Sequence, residues 1–321
     1  MHGVFNSPWK DKVVVITGGS RGLGLEMARV WIKQGASVSI CSRTDADLIR
    51  ATGELCRLTD QEIGDRVFSQ MCDITSQEQV ERFVSATTEH FGAIDVVVNN
   101  AGIIQTGPVA CMTLDDYRQA MDTHFWGPLF LIQAALPQLR ERQGRIVNIA
   151  SIGGEIGVPH LVPYCASKFA LAGLSEGLRA ELNLDAVSVT TVIPGLMRTG
   201  SPRNALFKGR HRDEYRWFSI SGSLPIVSIN SERAAHQIVK AARRRQAYIS
   251  LSAPAKVGIR LHGIFPGLTA RVLSVVNCLL PRPGGIGAES RRGAESTSKW
   301  SPSRLTKLTE TAAIRNNEVR S

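Results

Sequence analysis

The chain begins its regular pattern with a strand, a glycine-rich turn, a helix and a second strand, which together span about 30 residues, the size of one βαβ unit. The β-branched run at positions 13–16 predicts a strand that is buried on both faces. Glycines follow it, and the next stretch predicts a helix that stops at Gly35, before a second strand over Val38–Cys41. This beginning predicts a parallel sheet covered by helices.

The same alternation continues through most of the chain and predicts an α/β fold: a doubly wound, Rossmann-like parallel sheet in a single domain with a C-terminal extension. We expect a lead-in over 1–11, the Rossmann-like domain over 12–256, an apolar, amphipathic segment over 257–281, and a basic, disordered tail over 282–321 with at most a short terminal helix. Further strands are predicted at Arg66–Met71, Ile94–Val98, Arg145–Ala150, Val187–Ile193 and Ala247–Leu251. Helices are predicted at Asp45–Thr59, Ser76–His90 (with a capping box of Ser76 and Gln79), Asp115–Arg140, Pro163–Asn183 and Ser231–Arg243, and a loop over 198–228.

The turn glycines Gly18, Gly22 and Gly24 indicate a phosphate-binding loop. Backbone N–H groups at a helix N-terminus form an anion site, and glycines let a phosphate approach closely. The spacing G-x-x-x-G-x-G between a strand and a helix therefore favours dinucleotide binding, with a plain tight turn as the alternative.

The end of the second strand indicates which dinucleotide is bound. An acidic residue about 20 positions after the glycines is typical of NAD, whereas an arginine there accommodates the 2′-phosphate of NADP. Arg43 lies 19 positions after Gly24, and Arg21 adds a second guanidinium inside the loop. The sequence thus favours NADP(H) over NAD(H). The alternative is that Arg43 only forms a surface ion pair with Asp45 or Asp47.

Tyr164 and Lys168 are the candidate pair for proton transfer. Their spacing places both side chains on one face of a helix. Free tyrosine has a pKa of about 10, and a neighbouring ammonium favours the phenolate and lowers that pKa. The pair can then act as a general acid or base, although a single match of this kind also occurs as an ordinary surface pair.

Taken together, these motifs resemble the short-chain dehydrogenases/reductases over roughly Lys12–Leu251. The interval of 13 residues between Ser151 and Tyr164 matches that family. The motifs, in order, are Thr17-Gly-Gly-Ser-Arg-Gly-Leu-Gly24, Asp73, Asn99-Asn100-Ala101-Gly102, Ser151, Tyr164 with Lys168, and Pro194-Gly195 with Thr199.

The resemblance implies a role for each residue. Tyr164 would exchange a proton with the substrate oxygen, Lys168 would lower the tyrosine pKa and hold the nicotinamide ribose, and Ser151 would hydrogen-bond the same oxygen. Asp73 would accept from the adenine amino group, and Thr199 would grip the nicotinamide end. The cofactor-binding residues implied are Gly18, Ser20, Arg21, Gly22, Leu23, Gly24, Ser42, Arg43, Asp73, Ile74, Asn100, Ala101, Gly102, Tyr164, Lys168, Pro194, Gly195 and Thr199.

His124 departs from the family pattern, because it stands where the family has a catalytic asparagine. The main-chain carbonyl of that asparagine holds a water that relays protons to the lysine. A histidine keeps the carbonyl, and its ring can donate or accept. Three readings remain open: a relay with altered pH dependence, a relay blocked by the ring, and a histidine that only packs.

Composition limits the class of protein further. With 43% apolar and 21% charged residues, the chain is typical of a globular protein, and its net charge of +10 predicts a basic, solvated surface. Nothing predicts a nucleic-acid site, a metal site or a signal peptide. Six scattered cysteines indicate reduced thiols, and we expect a cytoplasmic protein with membrane association through 257–280 as an added candidate.

We therefore expect hydride transfer between NADP(H) and a carbonyl or alcohol, in a homo-oligomer acting on an apolar small molecule. The alternative is an NADP-binding sensor or scaffold that has lost turnover through His124. Gly267–Leu280 predicts a helix that either covers the cleft or the core, or meets a membrane surface or partner. The predicted apolar cleft residues are Val158, Leu161, Leu196, Leu206, Phe207, Tyr215, Trp217, Phe218, Ile220 and Leu224, with their packing onto the body or a second subunit as the alternative.

Overall fold

The structure, a computed structural model, describes residues 7–58, 66–225, 228–298, 301–303 and 306–319. Its strands are β1 (Val13–Thr17), β2 (Ser37–Ser42), β3 (Val67–Met71), β4 (Val96–Asn99), β5 (Gln105–Thr106), β6 (Arg145–Ile149), β7 (Ser188–Ile193), β8 (Leu196–Arg198), β9 (Leu206–Phe207), β10 (Ser228–Asn230), β11 (Tyr248–Ser250) and β12 (Arg291–Arg292). Its helices are α1 (Gly22–Lys33), α2 (Asp45–Cys56), α3 (Gln77–Phe91), α4 (Leu114–Met121), α5 (Gly127–Glu141), α6 (Val162–Leu182), α7 (His211–Ser223), α8 (Ser231–Arg243), α9 (Ala253–Ile264), α10 (Pro266–Leu279) and α11 (Lys307–Arg315).

Seven parallel strands form the central sheet, in the order β11-β7-β6-β4-β1-β2-β3. The strand order reverses between β1 and β4, because the chain builds outward first to one side and then to the other. The loops that leave the two strands diverge at this point, and a crevice opens at their carboxyl ends, where ligands bind in folds of this kind. The predicted doubly wound α/β fold is confirmed.

Two hydrophobic cores cover the two faces of the sheet. One joins β1 and β2 to α1, α2 and α8 and contains the fully buried Trp31 and Ile40. The other joins β4 and β6 to α3, α5 and α6, with Phe83 and Leu131 fully buried. Both faces of each strand are therefore apolar, which explains the unbroken β-branched runs in the sequence.

The predicted elements of the sheet region match the structure to within a few residues; Thr59 lies outside the described residues. The capping box at Ser76 is only half formed. The Ser76 hydroxyl accepts from the Gln79 amide, but the Gln79 side chain accepts from the Asp73 amide instead of returning to Ser76. The Asp73 amide, which lies outside the helix, therefore replaces the Ser76 amide as the hydrogen-bond donor to the Gln79 side chain.

The stretch 198–228, which we predicted to be a loop, contains β9 and the 13-residue helix α7. Phe207, Tyr215 and Phe218 pack together there in a small core of their own, where Tyr215 is only 1% exposed. These three predicted cleft residues therefore hold the segment together and do not line the cleft. Leu161 and Trp217 pack against the same core.

Helices α9 and α10 form a hairpin that projects from the body. Ala255 is the one buried residue of α9 among those described, and α10 has none. The interpretation of the second helix as a cover for the core is therefore wrong, because none of its residues is buried. No described helix is both long enough and apolar enough to cross a membrane.

The C-terminal residues depart from the expected disordered tail. Helix α11 packs on the body through Ala312 and Ala313, which are 7% and 0% exposed, and the chain continues as far as Glu318 in close contact with the glycine turn. The predicted short terminal helix corresponds to α11.

Candidate active site

Three predicted catalytic side chains meet at the carboxyl end of β6. Ser151 follows this strand, and its hydroxyl accepts a hydrogen bond from the amide of Gly153, which fixes the side chain. Tyr164 and Lys168 lie one turn apart on α6, with the lysine Nζ 5.9 Å from the centre of the tyrosine ring. The Ser151 side chain lies close enough to the Tyr164 phenol to lower its pKa in part. Helix α6 thus presents the phenol to the serine across the cleft.

Burial dominates the acidity of Tyr164. It raises the pKa of the phenol to about 12, and the Ser151 side chain opposes this shift only in part. We expected a lowered pKa, and the direction here is the opposite. Desolvation of the phenolate therefore outweighs the attraction of the nearby lysine, and the hydroxyl stays protonated at neutral pH.

Lys168 is almost completely buried, and desolvation lowers its pKa to about 7. Its Nζ donates to the main-chain carbonyl of Ile149 at 2.7 Å, which anchors the side chain beneath the tyrosine. At neutral pH the lysine is thus close to half protonated, a condition in which it can exchange a proton readily.

The ring of His124 is fully engaged by neutral hydrogen bonds. Its Nε2 accepts from the amide of Ile103 at 3.1 Å, and its Nδ1 lies 2.7 Å from the hydroxyl of Ser167. Since Ser167 donates its own proton to the carbonyl of Tyr164, Nδ1 must carry the hydrogen and donate to the serine. Burial, followed by the charge of Lys168, holds the pKa of His124 well below its usual value. The ring is therefore neutral, and its two hydrogen bonds hold it between Ile103 and Ser167.

The carbonyl of His124 lies in a turn of π-helix, Asp122–Trp126, between α4 and α5. Pro128 stands four residues after it and has no N–H, so this carbonyl cannot receive the usual i+4 helical bond. Pro128 thus removes the usual helical donor to this carbonyl, which is the group that the proton relay of the resembled family requires. This favours a relay through the carbonyl over one through the ring.

The glycine turn is shaped by close backbone contacts. A Cβ on Gly24 would lie 2.2 Å from the carbonyl oxygen of Gly18, and one on Gly18, whose φ is +64°, would lie 3.0 Å from Cα of Ala101. The side-chain amide of Asn100 donates to the carbonyls of Thr17 and Gly18. Asn100 and Ala101 therefore brace the turn from the neighbouring strand.

The predicted adenosine end is open to solvent. Arg43 is exposed and forms no ion pair with any residue in the described part of the chain, because Asp47 pairs with Arg50. Asp73 is half-buried, and one of its carboxylate oxygens accepts from the amide and hydroxyl of Thr75. The ion-pair alternative for Arg43 is thus not what the structure contains.

The predicted nicotinamide end lies between β7 and β8. Pro194 accepts from the amide of Ile152, which ties this loop to the catalytic serine, and a Cβ on Gly195 would lie 2.7 Å from the Ser252 hydroxyl. Thr199 is buried and its hydroxyl bonds with Ser201. The remaining predicted residues differ in burial: Ser20, Leu23 and Ile74 are buried, Ser42, Leu196 and Val158 are partly buried, and Gly102 is exposed.

Comparisons with known proteins agree with this geometry. Residues 12–206 match the family model for short chain dehydrogenases.

The chain belongs to the short-chain dehydrogenase family.

One relative, the uncharacterized oxidoreductase YxnA of Bacillus subtilis, is 32% identical over 272 residues, which cover 83% of this chain and 72% of the relative. Several other curated relatives are covered over less than two thirds of their length, for example 62% of a Xenopus tropicalis member of the family. A short-chain dehydrogenase from Streptomyces avermitilis superposes with a TM-score of 0.69 at 28% identity and covers 84% of this chain and 97% of its own. A Burkholderia phymatum family member, solved in complex with NAD, superposes with a TM-score of 0.71 at 21% identity over 81% of this chain and 95% of its own.

Two features of this short-chain dehydrogenase were missed from the sequence. Ser167, which holds the ring of His124, is buried one position before Lys168, and its spacing of three from Tyr164 on the same helix was the available signal. The second is the segment around Asn316 that lies on the glycine turn. In the part of the dehydrogenase that the structure describes, no group of histidine, cysteine or acidic side chains could hold a metal ion.

Proposed function

We propose that the protein is an NADP(H)-dependent oxidoreductase that interconverts a carbonyl group and an alcohol on an apolar substrate. The observation that carries this proposal is the placement of the Tyr164 phenol beside the Ser151 side chain, with Lys168 Nζ 5.9 Å from the centre of the tyrosine ring. A fold that only binds a nucleotide does not need a protonated phenol held against a serine at the mouth of the cleft.

When bound, NADP(H) supplies or accepts the hydride. In the reduction direction the substrate oxygen would lie between Ser151 and Tyr164. Ser151 donates a hydrogen bond to it and Tyr164 gives it a proton. Lys168, with its pKa near 7, stabilises the phenolate and returns a proton to it. The freed carbonyl of His124 would receive the water that carries protons to the lysine.

The residues of the crevice fit the cofactor. The close approach of Gly18 and Gly24 leaves no room for side chains, which suits a pyrophosphate, and the exposed guanidinium of Arg43 stands at the end of β2, where a 2′-phosphate would lie. The Burkholderia phymatum neighbour was solved with NAD, so NAD(H) is the competing cofactor that a test must exclude.

A surface hollow of about 400 Å³ opens beside α6, and its lining is almost entirely apolar. Its helical residues Val162, Ala166 and Phe169 lie on a different face of α6 from Tyr164 and Lys168, so the hollow is not the substrate cleft. The lining residues are Gly157, Val158, Pro159, Val162, Cys165, Ala166 and Phe169.

The hairpin of α9 and α10 supports peripheral contact with an anionic membrane surface. Its exposed side chains include Ile264, Phe265 and Leu268, which are between 53% and 67% exposed. No acidic residue occurs between positions 252 and 288, whereas four lysines and arginines do. Apolar side chains beside cations only are what an anionic lipid interface accepts.

Replacing Tyr164 tests the catalytic proposal. Tyr164→Phe should lower kcat by at least about 100-fold, because the phenylalanine has no proton to give. NADPH binding, measured by the fluorescence of the bound cofactor, should persist in that variant. Tyr117→Phe, on α4, serves as the matched control and should turn over a panel of apolar ketones and aldehydes as the parent protein does. Turnover by Tyr164→Phe at the parent rate would refute the role.

Replacing Arg43 tests the choice of cofactor. Arg43→Leu should lower kcat/KM for NADPH by about 10- to 100-fold, since a charge-assisted contact with phosphate contributes about 1.5–3 kcal/mol. The value for NADH should not fall, and Arg57→Leu, an exposed arginine on the same side of the sheet, should change neither. Preference for NADH in the parent protein would show that the cofactor is NAD(H).

A further inference from the structure

The last described residues form a strap across the crevice. We use the term strap for residues 307–319, which comprise α11 and the turn that follows it. The turn reaches the glycine loop, α1, α2 and the segment after β8. Its contacts come from Asn316, Asn317 and Glu318 in particular.

On one wall of the crevice, the strap binds the glycine loop directly. The amide of Gly22 donates to the carbonyl of Asn316 at 2.8 Å, and the side-chain amide of Asn317 donates to the carbonyl of Ser20 at 2.8 Å. A Cβ placed on Gly22 would lie 2.7 Å from a carboxylate oxygen of Glu318. The strap therefore lies against the first turn of α1.

On the other wall, the strap binds the segment predicted to grip the nicotinamide end. The Asn316 side chain donates to the carbonyl of Thr199 at 3.2 Å, and Asn204 donates to the main-chain and side-chain oxygens of Glu318. A Cβ on Gly200 would lie 2.4 Å from Cα of Ala313. One short segment thus joins both walls between which a dinucleotide would pass.

The chemistry of the contact is that of an anion site. The carboxylate of Glu318 lies 3.6 Å from the guanidinium of Arg21, at the N-terminus of α1, where the helix dipole and unpaired amides attract negative charge. A pyrophosphate would use the same guanidinium and the same amide of Gly22. A carboxylate and a phosphate cannot share this position, because like charges in contact repel.

We propose that the strap is an autoinhibitory segment whose Glu318 stands in for the cofactor phosphate, so that the nucleotide binds only after the strap has left the crevice. This rests on the proposed function, because it takes the glycine loop as the site of the pyrophosphate. Binding of NADP(H) and closure of the strap are then mutually exclusive, and each weakens the other by the same factor.

The way in which the strap is held permits its release. Its buried apolar residues are small, Ala312 and Ala313, while the larger Ile314 is 75% exposed. Polar contacts supply the rest of its anchorage, such as the ion pairs of Arg315 with Glu26 and of Glu310 with Arg203. Segments with few buried apolar contacts open at low free-energy cost, so a nucleotide can displace this one without unfolding the body.

Hydrogen–deuterium exchange on the full chain tests the direction of the effect. With saturating NADPH, amides in residues 307–319 should exchange faster, because the strap is expelled, while those of the glycine loop should exchange more slowly. Peptides from α10 serve as an internal control and should not change. Slower or unchanged exchange in the strap on binding would overturn the proposal, since it would make the strap a cover of the bound nucleotide or a bystander.

Affinity measurements with a single-charge variant test the role of Glu318. Glu318→Gln keeps the shape but removes the charge, and it should tighten NADPH binding by at least about fivefold, as measured by calorimetry. Glu289→Gln, also in the C-terminal region but paired only with Arg291, should stay within about twofold of the parent. Asn317→Ala, which loses the contact with Ser20, should also tighten binding.

Unchanged or weaker binding in both strap variants would contradict the proposal, although NADPH binding itself would still support the proposed function. If neither NADPH nor NADH binds to the parent or to Glu318→Gln, both the proposed function and the strap proposal fail.

Discussion

At the scale of single residues, burial sets the protonation states of the site. Desolvation raises the pKa of Tyr164 to about 12 and lowers that of Lys168 to about 7. The two pKa values are thus moved in opposite directions, so that at pH 7 the phenol is neutral and the lysine is close to half protonated. The arrangement keeps a proton on the phenol, where the reduction direction requires it, and leaves the lysine ready to exchange one.

His124 differs from the residue of the resembled family, and hydrogen bonds around its ring accommodate the difference. The ring is enclosed by Ile103, Ser167 and the ring of Tyr164. The centres of the His124 and Tyr164 rings lie 5.4 Å apart. Because both nitrogens are used in a neutral tautomer, protonation would break the bond from Ile103. The ring of His124 therefore acts as a buried polar group that hydrogen-bonds Ile103 and Ser167.

This burial predicts a specific loss of stability in acid. The folded-state pKa of His124 lies well below the usual value of 6.5, so the unfolded chain binds a proton that the folded chain does not, and stability falls as pH falls below about 6.5. Between pH 7.5 and 5.5 protonation of this group in the unfolded chain should lower the free energy of unfolding, on the order of 1 kcal/mol. Urea unfolding at the two pH values should show that His124→Asn loses less stability than the parent. An equal loss in the two proteins would mean that the ring is accessible to protons when folded.

At the scale of elements, the α9–α10 hairpin exposes large apolar side chains that do not pack on the body. Phe265 and Leu268 turn outward at its tip, and neither helix contributes large side chains to either core. Folding leaves these apolar groups in water, which is unfavourable unless another apolar surface receives them.

Vesicle binding tests the role of the hairpin. The parent protein should sediment with vesicles that contain anionic lipid, and the double replacement Leu268→Ser with Val275→Ser should reduce the bound fraction several-fold. Its free energy of unfolding should change by less than about 0.5 kcal/mol, because both side chains are exposed. Leu114→Ser, an equally exposed leucine on α4, is the matched control and should bind as the parent does. Absence of binding by the parent, or self-association that the double replacement abolishes, would instead assign the hairpin to a second copy of the chain.

The elements also differ in how far the sequence predicts them. The strands and helices of the sheet follow from local patterns, since β-branched runs such as 13–16 and stop signals such as Gly35 act within a few residues. Helix α7 has polar and aromatic residues mixed on its surface, and it is fixed by the remote packing of Tyr215 on Phe207. The strap depends on hydrogen bonds between residues almost 300 positions apart, such as Asn317 with Ser20, which no local pattern can reveal.

For the candidate site, too, the sequence predicts some features and not others. The identities of Ser151, Tyr164 and Lys168 came from motifs that resemble those of the short-chain dehydrogenases, and the roles proposed for them are those that the resemblance implies. Their pKa values did not, because desolvation depends on which distant segments close over them. The tautomer of His124 likewise required the positions of Ile103 and Ser167, which belong to different elements.

At the scale of the whole molecule, segments near both ends of the described chain pack on the domain between them. Trp9, before the first strand, is 1% exposed; its ring lies against Trp31 of α1 and beneath the guanidinium of Arg145. The strap lies on the opposite end of α1, where Arg315 pairs with Glu26. Helix α1, which begins at the phosphate-binding turn, is therefore held by segments from near both ends of the described chain.

The position of the strap at the end of the described sequence has a consequence for biosynthesis. A ribosome completes every strand of the central sheet before it makes residues 307–319, and all the partners of the strap are already outside the exit tunnel by then. The crevice of the nascent body is therefore complete before the strap has been translated. Under the autoinhibition proposed above, a newly made molecule can bind NADP(H) before its strap closes.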